Sequence, residues 1–357
     1  MVTRLLVGTD KGLFRLHRPG LGQPWNIEGP LLPGQSVLAM ARHPRRPGSW
    51  LAAARHPVWG AHLYASDDDG SQWRSLDSVP LHPEHRHASR FESVWGLTWS
   101  ADGARLYAGI DPAGLFASDD DGGSWQDLPG LNDHPTRHQW QPARHLFAAH
   151  SLCIHPAHPD WLIVAISSGG AYRSMDGGRN WLPANAGVRA GHLPEPYPQV
   201  GHNVHRIVMH GGSGRLYRQC YTGTYRSDDW GQTWQEITSG LPGDFGYAVA
   251  VDPGDPDRVF QVPESSADLR IVVDARLRVF RSEDGGTHWS SASNGLPQAH
   301  AYVTVLREAL HTAEGSPCSV WLGTATGHLF GSDDGGEQWH LLAAFLPRIL
   351  CLRTIPA

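Results

Sequence analysis

The chain has 357 residues, 35 of them acidic and 29 basic, for a net charge of −6. An apolar share of 40% excludes a disordered chain, and the lack of a basic block argues against a nucleic-acid partner. No run of about 20 apolar residues occurs, so no membrane-spanning helix is expected. The 41 Gly and 27 Pro point to many turns and few long helices.

In chain order, LLVGTDKGLFRLHR reads as two strands around a turn at Asp10–Lys11, and PWNIEGPLL as a third around Trp25. A longer unit then repeats. It has an inner run (VLAMARHP, VWGLTWS, SLCIHP, RIVMH, YAVAVDP) and a second apolar run (RLYAGI, WLIVAI, RLYRQC, RVFQV, VWLGT). A third, aromatic run follows (GLFAS, GAYRS, GTYRS, HLFGS). The third run ends in the motif Ser-x-Asp-x-Gly-x-x-Trp, which begins at Ser66, Ser118, Ser174, Ser227, Ser282 and Ser332. Successive copies lie 52, 56, 53, 55 and 50 residues apart, the length of a four-stranded propeller blade. In each copy the Ser hydroxyl and Asp carboxylate can cap turn N–H groups, and Gly supplies the positive φ. The Trp opens the outer strand and plugs the gap between blades.

After the sixth motif one strand, RILCLRTI, is left over, and the N-terminal unit lacks an inner strand. Joining them closes the ring and removes two exposed edges. The expectation is an all-β, seven-bladed β-propeller in one domain. Its first blade is built from 1–32 with 347–357, and the others from about 35–80, 92–130, 149–187, 203–242, 245–297 and 300–346.

Six copies of this motif make the chain similar to the BNR or Asp-box repeat family. That family includes bacterial sialidases, xyloglucanases, sortilin-type receptors and photosystem II assembly factors. The length and the GTDKGLF start most resemble single-domain bacterial proteins labelled sialidase-like or glycosyl hydrolase. The resemblance implies Asp-box turns on one face and ligands on the other. The N-terminal Arg-Ile-Pro signature of sialidases has no counterpart in Thr3-Arg4-Leu5-Leu6, so a standard sialidase is not expected.

Aligning the inner strands on His43-Pro44, His155-Pro156 and Asp252-Pro253 predicts the channel mouth. Leu38, Trp95, His150, His205 and Tyr247 fall at one height, with Tyr302 by a looser match. Glu92, His202, Asp244 and His300 come just above. Deeper positions (Met40, Leu97, Leu152, Ile207, Val249) read as plain core. Three long connections, 80–91, 131–148 and 188–202, are expected over the same end and carry further histidines.

Imidazole can donate, accept or ligate near neutral pH. Glu92, His150, His202 and His205 are therefore candidates for proton transfer, and His150 with His205 for one divalent metal ion. Trp95, Tyr247 and Tyr302 would stack on a ligand, and Lys11, Arg55 and Arg348 would bind an anionic group. The expected function is an enzyme acting on a small polar or aromatic molecule by hydrolysis, elimination or isomerisation. The alternatives are a glycoside hydrolase acting on an oligosaccharide and a protein-binding scaffold. For the first alternative Glu92, Asp111, Asp10 and Glu195 are the available carboxylates. The scattered Cys153, Cys220, Cys318 and Cys351 read as reduced thiols, and the start shows no leader-like apolar run, which gives an expectation of cytoplasmic location.

Overall fold

The computed structural model describes residues 3–20, 22–83, 91–140, 147–191 and 193–356. Their strands form seven four-stranded antiparallel sheets. The inner strands of blades 2 to 7 are Ser36–Arg42, Ser93–Trp99, Ala149–Ile154, Val204–Met209, Phe245–Asp252 and Leu310–Ala313. The inner strand of blade 1 is the C-terminal Ile349–Ile355, which pairs with Thr3–Thr9 from Arg4↔Ile355 to Thr9↔Ile349. Each inner strand touches the next around the ring, and the strand of blade 1 touches those of blades 7 and 2. The chain is thus a seven-bladed β-propeller whose first blade is closed by its C-terminus.

The six motif turns share one geometry. In the first, the Ser66 hydroxyl donates to the Asp68 carboxylate (2.8 Å) and accepts the Gly70 N–H (3.0 Å). Asp68 also takes the Gln72 N–H. Asp69 and Gly70 are both left-handed, at φ 57° and 77°, which is why a glycine stands there. The tryptophans do bridge blades: the Trp234, Trp289 and Trp339 indole N–H groups donate to carbonyls of Ala184, Ile237 and Ala292 in the preceding blade. The turns after the inner strands lie beside these motif turns, as the Asp69 N–H to Gly48 carbonyl bond shows. That end of the ring is the lower face here. His43 and His210 sit there; each Nδ1 accepts turn N–H groups while Nε2 bonds a carbonyl of the next blade.

The inner strands are not regular. A β-bulge inserts one extra residue at the same level in blades 2, 3 and 5, at Leu38, Trp95 and His205. Blades 4, 6 and 1 carry one at Ser151–Leu152, Tyr247–Ala248 and Leu350. Bulges re-aim side chains, and this ring of them divides the channel into an upper and a lower half.

Candidate functional site

The upper half is filled. Arg307, just ahead of the blade 7 inner strand, lies 5.7 Å from the Trp95 ring and 5.1 Å from the Tyr247 ring. The His205 ring packs on Tyr247 and Phe245, and its Nδ1 donates to the Gly246 carbonyl (2.6 Å). Burial and then Arg307 lower His205 to about 3, and hold His150 well below its ordinary value. Both imidazoles are neutral at physiological pH. His150 and His205 are thus brought together at one height, as their spacing from the strand ends predicts, but inside a packed plug.

The other mouth residues spread outward. The His202 Nε2 donates to the Pro198 carbonyl (2.7 Å). Glu92 turns to Arg55, with 2.5 Å between carboxylate and guanidinium. Among the described residues no group of three or more His, Cys, Asp or Glu side chains is placed to hold a metal ion, so these residues do not fit a three-ligand site. Lys11 and Arg348 are exposed on upper turns. Tyr302 is 64% exposed and stands in an extended segment before the inner strand, which starts only at Leu310. Residues 84–90, 141–146 and 192 of the long connections, with His85, His87, His145 and His192, lie outside the described residues.

Beside the plug, the upper rim carries a carboxylate pair. Glu92 and Asp111 adjoin through the Glu92 N–H to Asp111 carbonyl bond (2.9 Å). Burial, and then the Glu92 charge, push Asp111 up to about 7, against the pull of Arg55 and of the Phe147 N–H. Glu92 is ion-paired and half-exposed. One turn away from Arg55, the His56 Nδ1 accepts the N–H groups of Val58 and Trp59, and its ring stacks on Trp59 at 6.2 Å. Trp59 is 74% exposed, an indole face held out over the same rim.

The lower half is hollow. A cavity of about 730 Å³ is lined by inner-strand residues from Ala39 to Arg353 and by the turns at Asp102, His155 and Pro253. Leu97, Leu152, Ile207 and Val249, expected as plain core, line it; Met40 is buried as expected. Its charged residues are Arg45 and Asp102 at the turns and, deeper in, Arg206, Glu308 and Arg353, joined by His311. Glu308 pairs with the Arg206 guanidinium through one oxygen and with Arg353 (2.5 Å) through the other. Sequence reasoning passed over this group. The available signal was a charge inside VHRIVM and ILCLRTI, since an inner strand has nowhere but the channel to put one.

No family model matches the chain. Xyloglucanase Xgh74A of Acetivibrio thermocellus is 23% identical over 274 residues, covering 66% of this chain and 30% of that protein. The chain thus spans under a third of the curated relative it matches. A GH74 enzyme of Niastella koreensis superposes with a TM-score of 0.62 at 16% identity, over 94% of this chain and 51% of that one. YCF48 bound to D1 peptide superposes at 0.55 with 18% identity, over 86% of this chain and 82% of that one. At such identities these structures establish the shared propeller fold.

Proposed function

We propose that the upper rim is a glycoside-hydrolase-type site acting on an oligosaccharide. The observation that carries this is the Glu92–Asp111 pair, in which burial raises Asp111 while Glu92 pairs with Arg55. Asp111 keeps its proton near neutrality and serves as general acid, while Glu92, paired with Arg55, serves as base or nucleophile. Trp59 offers the exposed flat face on which a sugar ring stacks. The relative in Acetivibrio thermocellus, a xyloglucanase, agrees with this chemistry. The proposal moves proton transfer from the imidazoles to the rim carboxylates. Four buried, free cysteines agree with a reducing, cytoplasmic setting for this activity.

The test is release of reducing ends from a panel of oligosaccharides and aryl glycosides. Asp111→Asn should lower the rate by about 10²–10⁴-fold with the fold intact by circular dichroism. The wild-type rate should fall as pH rises through about 7, where Asp111 loses its proton. Trp59→Ala should raise KM more than it lowers kcat. An Asp111→Asn protein of full activity, or a wild type that cleaves nothing in the panel, would overturn the proposal.

One observation favours a second reading. The chain matches most of the length of YCF48, and Trp59, Tyr302 and Phe345 are all exposed on upper loops. A non-catalytic face that grips a peptide would use the same aromatics. A peptide array read against wild type and Trp59→Ala distinguishes the two.

A further inference from the structure

We propose that the lower cavity is a second binding site, for a small carboxylate with an apolar body. It opens on the motif-turn face and is independent of the rim carboxylates. Two guanidiniums and one carboxylate leave the Arg206–Glu308–Arg353 group one positive charge in excess, in a chain that is negative overall. Arg206 is six-sevenths buried at its side chain (14% exposed) and lines the hollow together with Arg353. His311 takes the Thr354 N–H on Nε2 (3.2 Å), so its neutral ring carries the proton on Nδ1 as a further donor. An excess charge and an unused imidazole donor at the edge of a hollow select an anion.

The rest of the wall fixes the body of the ligand. Leu152, Trp99, Val208 and Met209 are partly exposed there and present apolar surface. A volume of about 730 Å³ suits a molecule of one or two rings or a medium acyl chain. A doubly charged phosphate would need more positive charge than Glu308 leaves available, and a neutral hydrocarbon would leave the donors unmet.

The probe is 1-naphthoate, titrated by calorimetry into the full-length protein, with 1-naphthamide as the uncharged control. The carboxylate should bind about tenfold or more tighter than the amide, the difference a charge-assisted hydrogen bond makes. Arg206→Met should remove that preference. Leu152→Trp should fill the cavity and abolish binding of both, while oligosaccharide cleavage at the upper face continues unchanged. Asp111→Asn should bind naphthoate as wild type does. If Arg206→Met fails to fold, Leu152→Trp and the amide comparison still decide. Equal binding of acid and amide, undiminished binding in Leu152→Trp, or no naphthoate binding by the wild type would each overturn the proposal.

Discussion

The two halves of the channel use the same residue types in opposite ways. Above the bulges, among the described residues, Arg307 has aromatic faces and no ion-paired carboxylate, while the Glu264 carboxyl is fully buried with no ion-paired guanidinium. Glu264 accepts the Thr304 hydroxyl and the Val305 N–H on one oxygen, and its other oxygen has no partner. Below the bulges, Glu308 holds Arg206 and Arg353 together. Large side chains fill the upper tier, at Trp95, His150, His205, Tyr247 and Arg307. Small ones (Ala39, Gly96, Ser151) leave space in the lower tier. A propeller axis is thus emptied by side-chain volume and closed by it, and among the described residues lining the channel the ion pairs lie in the empty half.

The largest expected effect comes from breaking that brace. Arg206 belongs to blade 5, Glu308 to blade 7 and Arg353 to the closing strand of blade 1, so Glu308 ties three blades across the hollow. Its backbone also accepts the Leu352 N–H (2.9 Å). Glu308→Gln leaves two buried guanidiniums facing each other and should cost about 3–5 kcal/mol in urea unfolding. An unchanged midpoint would mean that water already neutralises the lower half, and that the contrast between the halves is one of shape alone.

Much of this was legible in the sequence, and the gaps have physical reasons. Six motif copies and one spare strand specify seven blades, because backbone pairing leaves an unpaired edge no other place to go. The heights of His150 and His205 follow by counting back from the strand ends, since Ala149–Ile154 and Val204–Met209 share a length and each carries a bulge. Counting could not say whether the space between them was full. That depends on Arg307, which arrives from a segment with no strand pairing. Tyr302 was misplaced for the same reason. The 300–307 run alternates like a strand, but its backbone is tied to loops, with the Val303 and Thr304 carbonyls accepting the Val272 and Ala325 N–H groups. The Glu92–Arg55 pair was also out of reach, because it joins a strand end of blade 2 to the segment ahead of the blade 3 inner strand.

A smaller effect should appear as a pH dependence in the upper half. Burial raises Glu264 from 4.5 to about 7, against the pull of its hydrogen-bond donors and Arg270. The folded state therefore holds a proton that the unfolded chain releases above 4.5. That contribution to stability is fully present below 4.5 and is lost as pH rises through about 7. Wild type should lose stability between pH 5 and pH 8 by more than Glu264→Gln, whose side chain does not titrate. Parallel losses in the two proteins would show that Glu264 is ionised throughout, and so that the upper half does hold a paired charge.

The smallest effect should come from Arg307→Met. The cation–π contacts with Trp95 and Tyr247 contribute about 0.5–2 kcal/mol. Against them stands the loss of hydration, which already lowers the Arg307 guanidinium to about 10. A buried cation without a carboxylate gains no ion pair, so its removal breaks none. Methionine keeps most of the volume and can lie on both rings through its sulfur. The two contributions should nearly cancel, leaving a change within about 1 kcal/mol of either sign. Naphthoate binding below the plug should be unaffected, because the cavity wall does not include Arg307. A loss as large as that of Glu308→Gln would make Arg307 a brace in its own right. The upper half would then be held by its cation as firmly as the lower half is held by its ion pairs, and the difference between the halves would reduce to how much space each encloses.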